Sequence, residues 1–309
     1  MNQDSTHISS VRSLAYTALG ACCTKGLDFH RASLLGALLG DLMWSASPRR
    51  RRIAINAIAD RLQKDKASAV RLAKENFRQT GTAFAEVFLP PKVDHRFIRS
   101  NISFSDPDQF SRMENIQRPI VGTTGHFGAW ELLAPIFSLS FSSRQRQIIV
   151  KHPKDLDFAA LISHYRGFGG NRIVSHDQAA HLVLRCLRRN GISAFLVDHN
   201  TKRSKSTFLP FLGREASVNI GPAVLAVRSK ALIWPIFLIR KGRGRYIFHS
   251  RSSLDTAELT GNMEEKVHAA ALFYTRAVQD MVVRYPEQWF WMHQRWRTRP
   301  VEKKTLERA

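Results

Sequence analysis

Acidic residues are scarce in this chain. Asp and Glu number 25 against 47 Lys and Arg, a formal net charge of +22 over 309 residues. Such an excess points to an anionic partner: nucleic acid, an anionic membrane surface, a phosphorylated substrate or an acidic protein. Cysteine is scarce too. Its 3 thiols, Cys22, Cys23 and Cys186, exclude a disulfide framework and have no metal-ligand spacing. The Cys22-Cys23 pair reads as small apolar residues of a helix and fits a reducing, cytoplasmic setting. No run reaches the ~18–20 uninterrupted apolar residues of a spanning helix. No signal peptide is expected, because Asp4 precedes the first apolar residues and no basic region leads an apolar core. Also missing are a Gly-x-Ser-x-Gly elbow, a Walker-type phosphate loop, a Gly-x-Gly-x-x-Gly after a strand and a His-Glu-x-x-His zinc motif. Neither a cofactor nor a metal is expected.

The N-terminal part is helical in pattern. Two apolar stretches, 13–24 and 32–40, are separated by Lys25, Asp28, His30 and Arg31. Asp41-Leu42-Met43-Trp44 follows, then Pro48 and the run Arg49-Arg50-Arg51-Arg52. Apolar faces broken by charge, with a tryptophan and an arginine cluster after them, fit helices lying in a membrane interface. Ordinary amphipathic helices with a solvated basic turn fit equally well. Helices are expected over 53–62 and 67–89, the second ended by Pro90-Pro91. Residues 1–90 are therefore read as a helical, membrane-interface region.

Beyond Pro91 the rhythm changes. A helix starting at Ser105 or Asp106 and ending by Gln117 precedes an apolar strand at 120–123. Further strands are expected at 147–150, 172–174, 192–197, 231–240 and 246–250, with helices at 155–168, 177–190, 221–230 and 262–284. A short helix is expected at 286–291. This alternation predicts an α/β domain over 91–301, with a mixed, mostly parallel sheet flanked by helices, and a flexible tail at 302–309.

The strand at 120–123 leads into Thr124-Gly125-His126-Phe127-Gly128-Ala129-Trp130-Glu131 and then a helix. In open α/β sheets ligands gather where strands hand over to helices. Five positions along one ideal helix would set His126 and Glu131 about 140° apart, so the pair meets only if His126 stands before the helix. So placed, the imidazole is a candidate general base, with Glu131 to orient it and stabilise its charged form. The same pair could instead merely fasten the turn.

Four blocks in order carry a resemblance. Besides 124–131, they are Thr207-Phe208-Leu209-Pro210-Phe211-Leu212-Gly213 after Asp198, Ala231-Leu232-Ile233-Trp234-Pro235-Ile236-Phe237, and Tyr285-Pro286-Glu287-Gln288-Trp289-Phe290-Trp291-Met292-His293-Gln294-Arg295-Trp296 running on to Arg299-Pro300. Together they resemble the bacterial lipid A biosynthesis (late) acyltransferases, the lauroyl and myristoyl transferases of the wider lysophospholipid acyltransferase group. The resemblance implies acyl transfer without a covalent intermediate at the cytoplasmic face of the inner membrane. His126 would deprotonate an acceptor hydroxyl, Glu131 would orient His126, and the donor would be the thioester of an acidic acyl carrier protein. The acceptor would be an anionic glycolipid, a lipid A precursor, held by Arg166, Asp198 and Arg203 in the basic loop Lys202-Arg203-Ser204-Lys205. Two departures stand out: Ala129 replaces the family's usual asparagine, and no clean spanning helix precedes the domain. Transfer to another lyso-lipid or glycolipid is the runner-up. A nucleic-acid-binding protein is disfavoured, because the basic residues lie among apolar helices rather than on a stacking platform.

Overall fold

The computed structural model describes residues 11–151, 155–177 and 179–300. The expected tail at 302–309 and Asp4 lie outside these, as does the side chain of Lys205. Four helices come first: α1 (Val11–Gly26), α2 (Phe29–Ala46), α3 (Pro48–Arg61) and α4 (Lys66–Glu86). Asp28 caps α2 by accepting from Arg31 N–H, and Asp65 caps α4 by accepting from Ser68 N–H. Helices α2 and α4 touch backbone to backbone. A Cβ on Gly81 would stand 2.1 Å from the Gly36 carbonyl oxygen, so no larger residue fits there. Opposite that seam, α2 exposes Leu34, Leu35, Leu38, Leu39 and Leu42. No helix among the described residues is long and apolar enough to cross a membrane.

The chain continues through α5 (His95–Asn101), β1 (Ile102–Phe104), α6 (Pro107–Asn115) and β2 (Ile120–Thr124). After the His126 loop come α7 (Leu133–Ser140), β3 (Arg146–Val150), α8 (Leu156–Arg166), β4 (Arg172–Ser175), α9 (Ala179–Leu187) and β5 (Ile192–Leu196). A hairpin of β6 (Ser206–Phe211) and β7 (Arg214–Asn219) follows, then α10 (Gly221–Arg228), β8 (Leu232–Gly242), β9 (Arg245–Ser250), β10 (Leu254–Asp255) and α11 (Met263–Arg284). The main sheet has the order β1-β9-β8-β2-β5-β3-β4, with β10 beside β8. Its pairings are parallel except β8 with β9 and β8 with β10. The expected α/β architecture is therefore present.

All five residues of β2 are buried, as a central strand covered on both faces requires. Neighbours on the strand fall into opposite cores, since side chains alternate across a sheet. Val121 joins the cluster of Val183, Ala226, Tyr274 and Val278, from α9, α10 and α11. Ile120 joins Leu133, Ile136 and Phe137 of α7 together with Phe97 and Phe110. Ala54, Ile58 and Phe77 belong to the same cluster as Val121, so the N-terminal helices share the core of the α/β part.

Three features depart from the sequence reading. The hairpin β6–β7 was not expected; it turns through Leu212 and Gly213, both with positive φ (50° and 72°), as a tight hairpin requires. Only Pro286–Gln288 of the expected terminal helix forms, as one 3-10 turn; Trp289 is then extended and bridges to Phe127, and the chain goes on in turns. Strand β8 outruns β2. Its pairing with β2 ends at Pro235, and beyond that the His126 loop takes β2's place, with Gly128 bridging to Leu238.

Candidate active site

The parallel register builds the site. Thr124 of β2 lies opposite Leu196 of β5. His126 and Asp198 each come two residues later, so both leave the same edge of the sheet side by side. Asp198 Oδ1 lies 2.9 Å from His126 Nδ1, and Asp198 Oδ2 accepts from His126 N–H at 2.8 Å. Trp289 Nε1–H also donates to Oδ2, at 2.9 Å. The Asp198 side chain is fully buried, whereas that of His126 is 31% exposed. His126 is thus the open end of a closed relay. A carboxylate at Nδ1 requires the proton there and leaves Nε2 with its lone pair outward, as a general base needs.

Glu131 has partners other than the expected one. His126 precedes the helical turn and Glu131 lies within it, in the 3-10 turn Trp130–Leu132. The two side chains nevertheless share no hydrogen bond. Arg166 at the end of α8 takes both Glu131 oxygens, Nε to Oε2 at 2.7 Å and Nη2 to Oε1 at 2.6 Å, and Trp130 Nε1–H donates to Oε1 at 2.9 Å. The carboxylate that orients His126 is therefore Asp198, and Glu131 holds Arg166. Spacing along the chain could not reveal this, because Asp198 reaches His126 through strand register. Arg203 is apart from both groups: it sits on an exposed turn and donates to the Arg299 carbonyl.

Charge follows this geometry. Burial disfavours the imidazolium of His126, but the charge and hydrogen bond of Asp198 outweigh it, leaving its pKa above the ordinary 6.5. Arg166 opposes that rise and Glu131 adds to it. Burial would raise the Asp198 pKa, yet His126 holds this carboxyl well below the usual range. Glu131 is lowered as well, since Arg166 overcomes the effect of burial. Burial pushes His199 down to about 4. His293, whose Nε2 lies 3.1 Å from the Asp198 carbonyl oxygen, is lowered mainly by burial. Among the described residues no group of three or more His, Cys, Asp or Glu side chains could hold a metal ion.

A pH dependence follows. With His126 as a general base, which works only when neutral, kcat/KM is expected to fall as pH drops through its raised pKa, with the acid limb above pH 6.5. Asp198→Asn removes the charge that outweighs burial, so the limb should move to lower pH even as the rate falls. A pH–rate profile checks this; a limb that stays in place in the variant would show that another group titrates.

Beside the cluster runs an apolar cavity of about 60 Å³, lined by Trp130, Leu133, Phe137, Ile148, Ala194 and Leu196, with Glu131 and Arg166 also on its wall. Trp130 joins cavity to base, its ring meeting His126 edge-on at 5.5 Å between centroids. The lining extends from Thr124, Val150 and Leu196 at strand ends back to Arg146 and Ile192 at strand starts. At ~3.3 Å per residue the lining covers about 13 Å of strand. The cavity's width is kept by small residues, since Gly122 and Ala194 face each other across β2 and β5.

A histidine held by a buried carboxylate thus stands at the C-terminal edge of a mostly parallel sheet, beside an apolar cavity. The model of the family described as bacterial lipid A biosynthesis acyltransferase matches residues 12–298, and the chain belongs to that family. Among curated relatives, it is 23% identical over 238 residues to the lipid A biosynthesis palmitoleoyltransferase of Escherichia coli K12, covering 76% of this chain and 74% of that protein. The lipid A biosynthesis acyltransferase of Shigella flexneri matches to the same extent, 23% over 76% and 74%. The lipid A biosynthesis lauroyltransferase of Escherichia coli K12 is 25% identical over 182 residues, 57% of this chain and 55% of that one. The protein is thus an acyltransferase of lipid A synthesis.

Proposed function

We propose that this chain moves a fatty acyl group from an acyl carrier protein thioester to a hydroxyl of a phosphorylated glycolipid, a lipid A precursor, at the cytoplasmic face of the inner membrane. The observation that carries this reading is the Asp198–His126 relay beside the apolar cavity. His126 Nε2 takes the proton of the acceptor hydroxyl as its oxygen attacks the thioester carbon. The C–O bond forms, the tetrahedral intermediate collapses, the C–S bond breaks, and the imidazolium returns its proton to the departing thiolate. No bond to the protein is made. The cavity holds the acyl chain, and the net charge of +22 suits both an acidic carrier protein and a phosphorylated lipid.

The exposed leucines of α2 support a membrane face. An aromatic chain also links the surface to His126: Phe84 of α4 is exposed, its ring centroid lies 6.4 Å from that of Phe290, and Phe290 lies 6.1 Å from His126. Arg49-Arg50-Arg51-Arg52 at the start of α3 adds charge for anionic headgroups.

The test is transfer of a labelled acyl group from acyl carrier protein to the phosphorylated glycolipid carried in anionic vesicles. The wild type is expected to acylate it, and failure with every chain length would overturn the reading. The double variant Leu38→Glu, Leu42→Glu should bind the vesicles about tenfold or more weakly, since each buried leucine contributes ~1.5–3 kcal/mol. Unchanged vesicle binding, or a preference for duplex DNA at matched salt, would remove the membrane assignment.

A further inference from the structure

A second buried ionic group lies outside the cluster at His126, and the reaction proposed above does not use it. Arg240 of β8 is 9% exposed and Glu86, the last residue of α4, only 2%. Arg240 Nε donates to Glu86 Oε1 at 3.0 Å, and its Nη2 donates to Oε2. Tyr246 of β9 fixes the carboxylate from the other side, its hydroxyl donating to Oε1 at 2.9 Å. Arg240 Nη1 donates to Gln79 Oε1 at 3.3 Å. A buried ion pair adds little stability over apolar residues of similar volume, so stability alone does not account for this one.

Its remaining contacts point to the catalytic loop. Arg240 Nη2 also donates to the carbonyl of Gly128, two residues after His126, at 2.9 Å. The other polar backbone group of Gly128, its N–H, donates to the Gln288 carbonyl at 2.9 Å. The Gln288 side chain in turn accepts from Arg240 N–H at 2.9 Å and donates to the Arg240 carbonyl at 3.0 Å. Both backbone groups of Gly128 therefore end on Arg240, one directly and one through Gln288. The loop has no slack at this point. Gly128 has φ +55°, and a Cβ there would stand 2.2 Å from the Leu238 carbonyl oxygen.

We propose that Arg240 is a positioning residue for His126: held by Glu86 and Tyr246, its guanidinium locks Gly128 and so keeps the imidazole on Asp198. The proposal rests on reading His126 as the base. Arginine suits the task because its fork serves a carboxylate and a carbonyl at once, from a group that stays charged.

The test compares the full-length wild type with the double variant Arg240→Met, Glu86→Gln, which removes both charges and leaves neither unpaired. Misplacing a reacting group by about 1 Å costs up to ~10²-fold, so kcat is expected to fall about 10–100-fold while the KM for the acyl donor changes little. The His126 imidazole, followed by NMR, should titrate closer to 6.5 than in the wild type, where Asp198 raises it. A folded variant with unchanged kcat and unchanged His126 titration overturns the proposal. Should the double variant fail to fold, Arg240→Lys carries the same two readouts, because it keeps a cation for Glu86 but loses the planar fork. The titration needs no turnover, which separates the two ideas. A shifted titration in the variant with no acyl transfer by wild type refutes the acyl-transfer reading and leaves the positioning role standing.

Discussion

Replacing His126 with alanine is expected to lower kcat by about 10²–10⁴-fold, the usual contribution of a positioned general base, while leaving the fold intact. The fold should survive because the ring is the partly exposed end of the relay. Asp198 keeps two donors without it, Trp289 Nε1–H and the backbone N–H of residue 126. Binding of the acyl donor should change little, since the cavity is walled by Trp130, Leu133, Phe137 and the strands rather than by His126. Initial rates against donor concentration measure both quantities. Near wild-type kcat in this variant would mean that some other group takes the proton, and the mechanism above would be wrong.

Glu131→Ala should act on stability as strongly as on rate. Arg166 pairs its guanidinium with this carboxylate, and the Glu131 side chain is 6% exposed. Removing one partner of a buried pair leaves an uncompensated charge and costs about 3–5 kcal/mol. The Arg166 side chain is 19% exposed and recovers some hydration, so the lower end of that range is expected. Glu131→Gln keeps an acceptor oxygen for Arg166 and should cost less. Urea unfolding of the two variants beside wild type measures the difference. A loss under about 1 kcal/mol for Glu131→Ala, no more than an exposed pair contributes, would show that the Glu131–Arg166 pair does not anchor this wall of the cavity. Activity adds a second contrast: Glu131→Ala frees Arg166 beside the cavity, whereas Asp198→Asn acts on the proton at His126.

Much of the fold was legible from apolar runs bounded by turn residues. Strands β2, β3, β4, β5, β8 and β9 lie within two residues of their expected limits, and α11 begins at the Asn262 cap, where Glu265 completes a capping box. The hairpin β6–β7 escaped because its turn is Leu212-Gly213 rather than a recognisable Asn-Gly, and Pro210 interrupts the first strand. His126 was legible as a polar residue at a strand–helix boundary; Arg166 and Asp198 were named only through the resemblance, as substrate-binding residues, with no sign that they would pair with Glu131 and His126. Trp289 and His293 stood only within a terminal sequence block, with no sign that they would close around Asp198. Glu86 and Arg240 carried no signal, for a glutamate ending a helix and an arginine ending a strand look like solvated charges until both are found buried.

The alternation of elements, the order of the four blocks, the basic charge and the place of His126 before its helix were all determined by the sequence alone. These are local properties, set by side-chain periodicity, caps and turns within a few residues. The partner of His126 was decided only by the tertiary structure. Glu131 is close along the chain, but its carboxylate is taken by Arg166 and Trp130. Asp198 is 72 residues away and reaches the ring because Thr124 and Leu196 lie opposite each other in parallel strands. A hydrogen bond needs a donor and acceptor within ~3 Å and in line, and strand register, not spacing along the chain, meets that condition here.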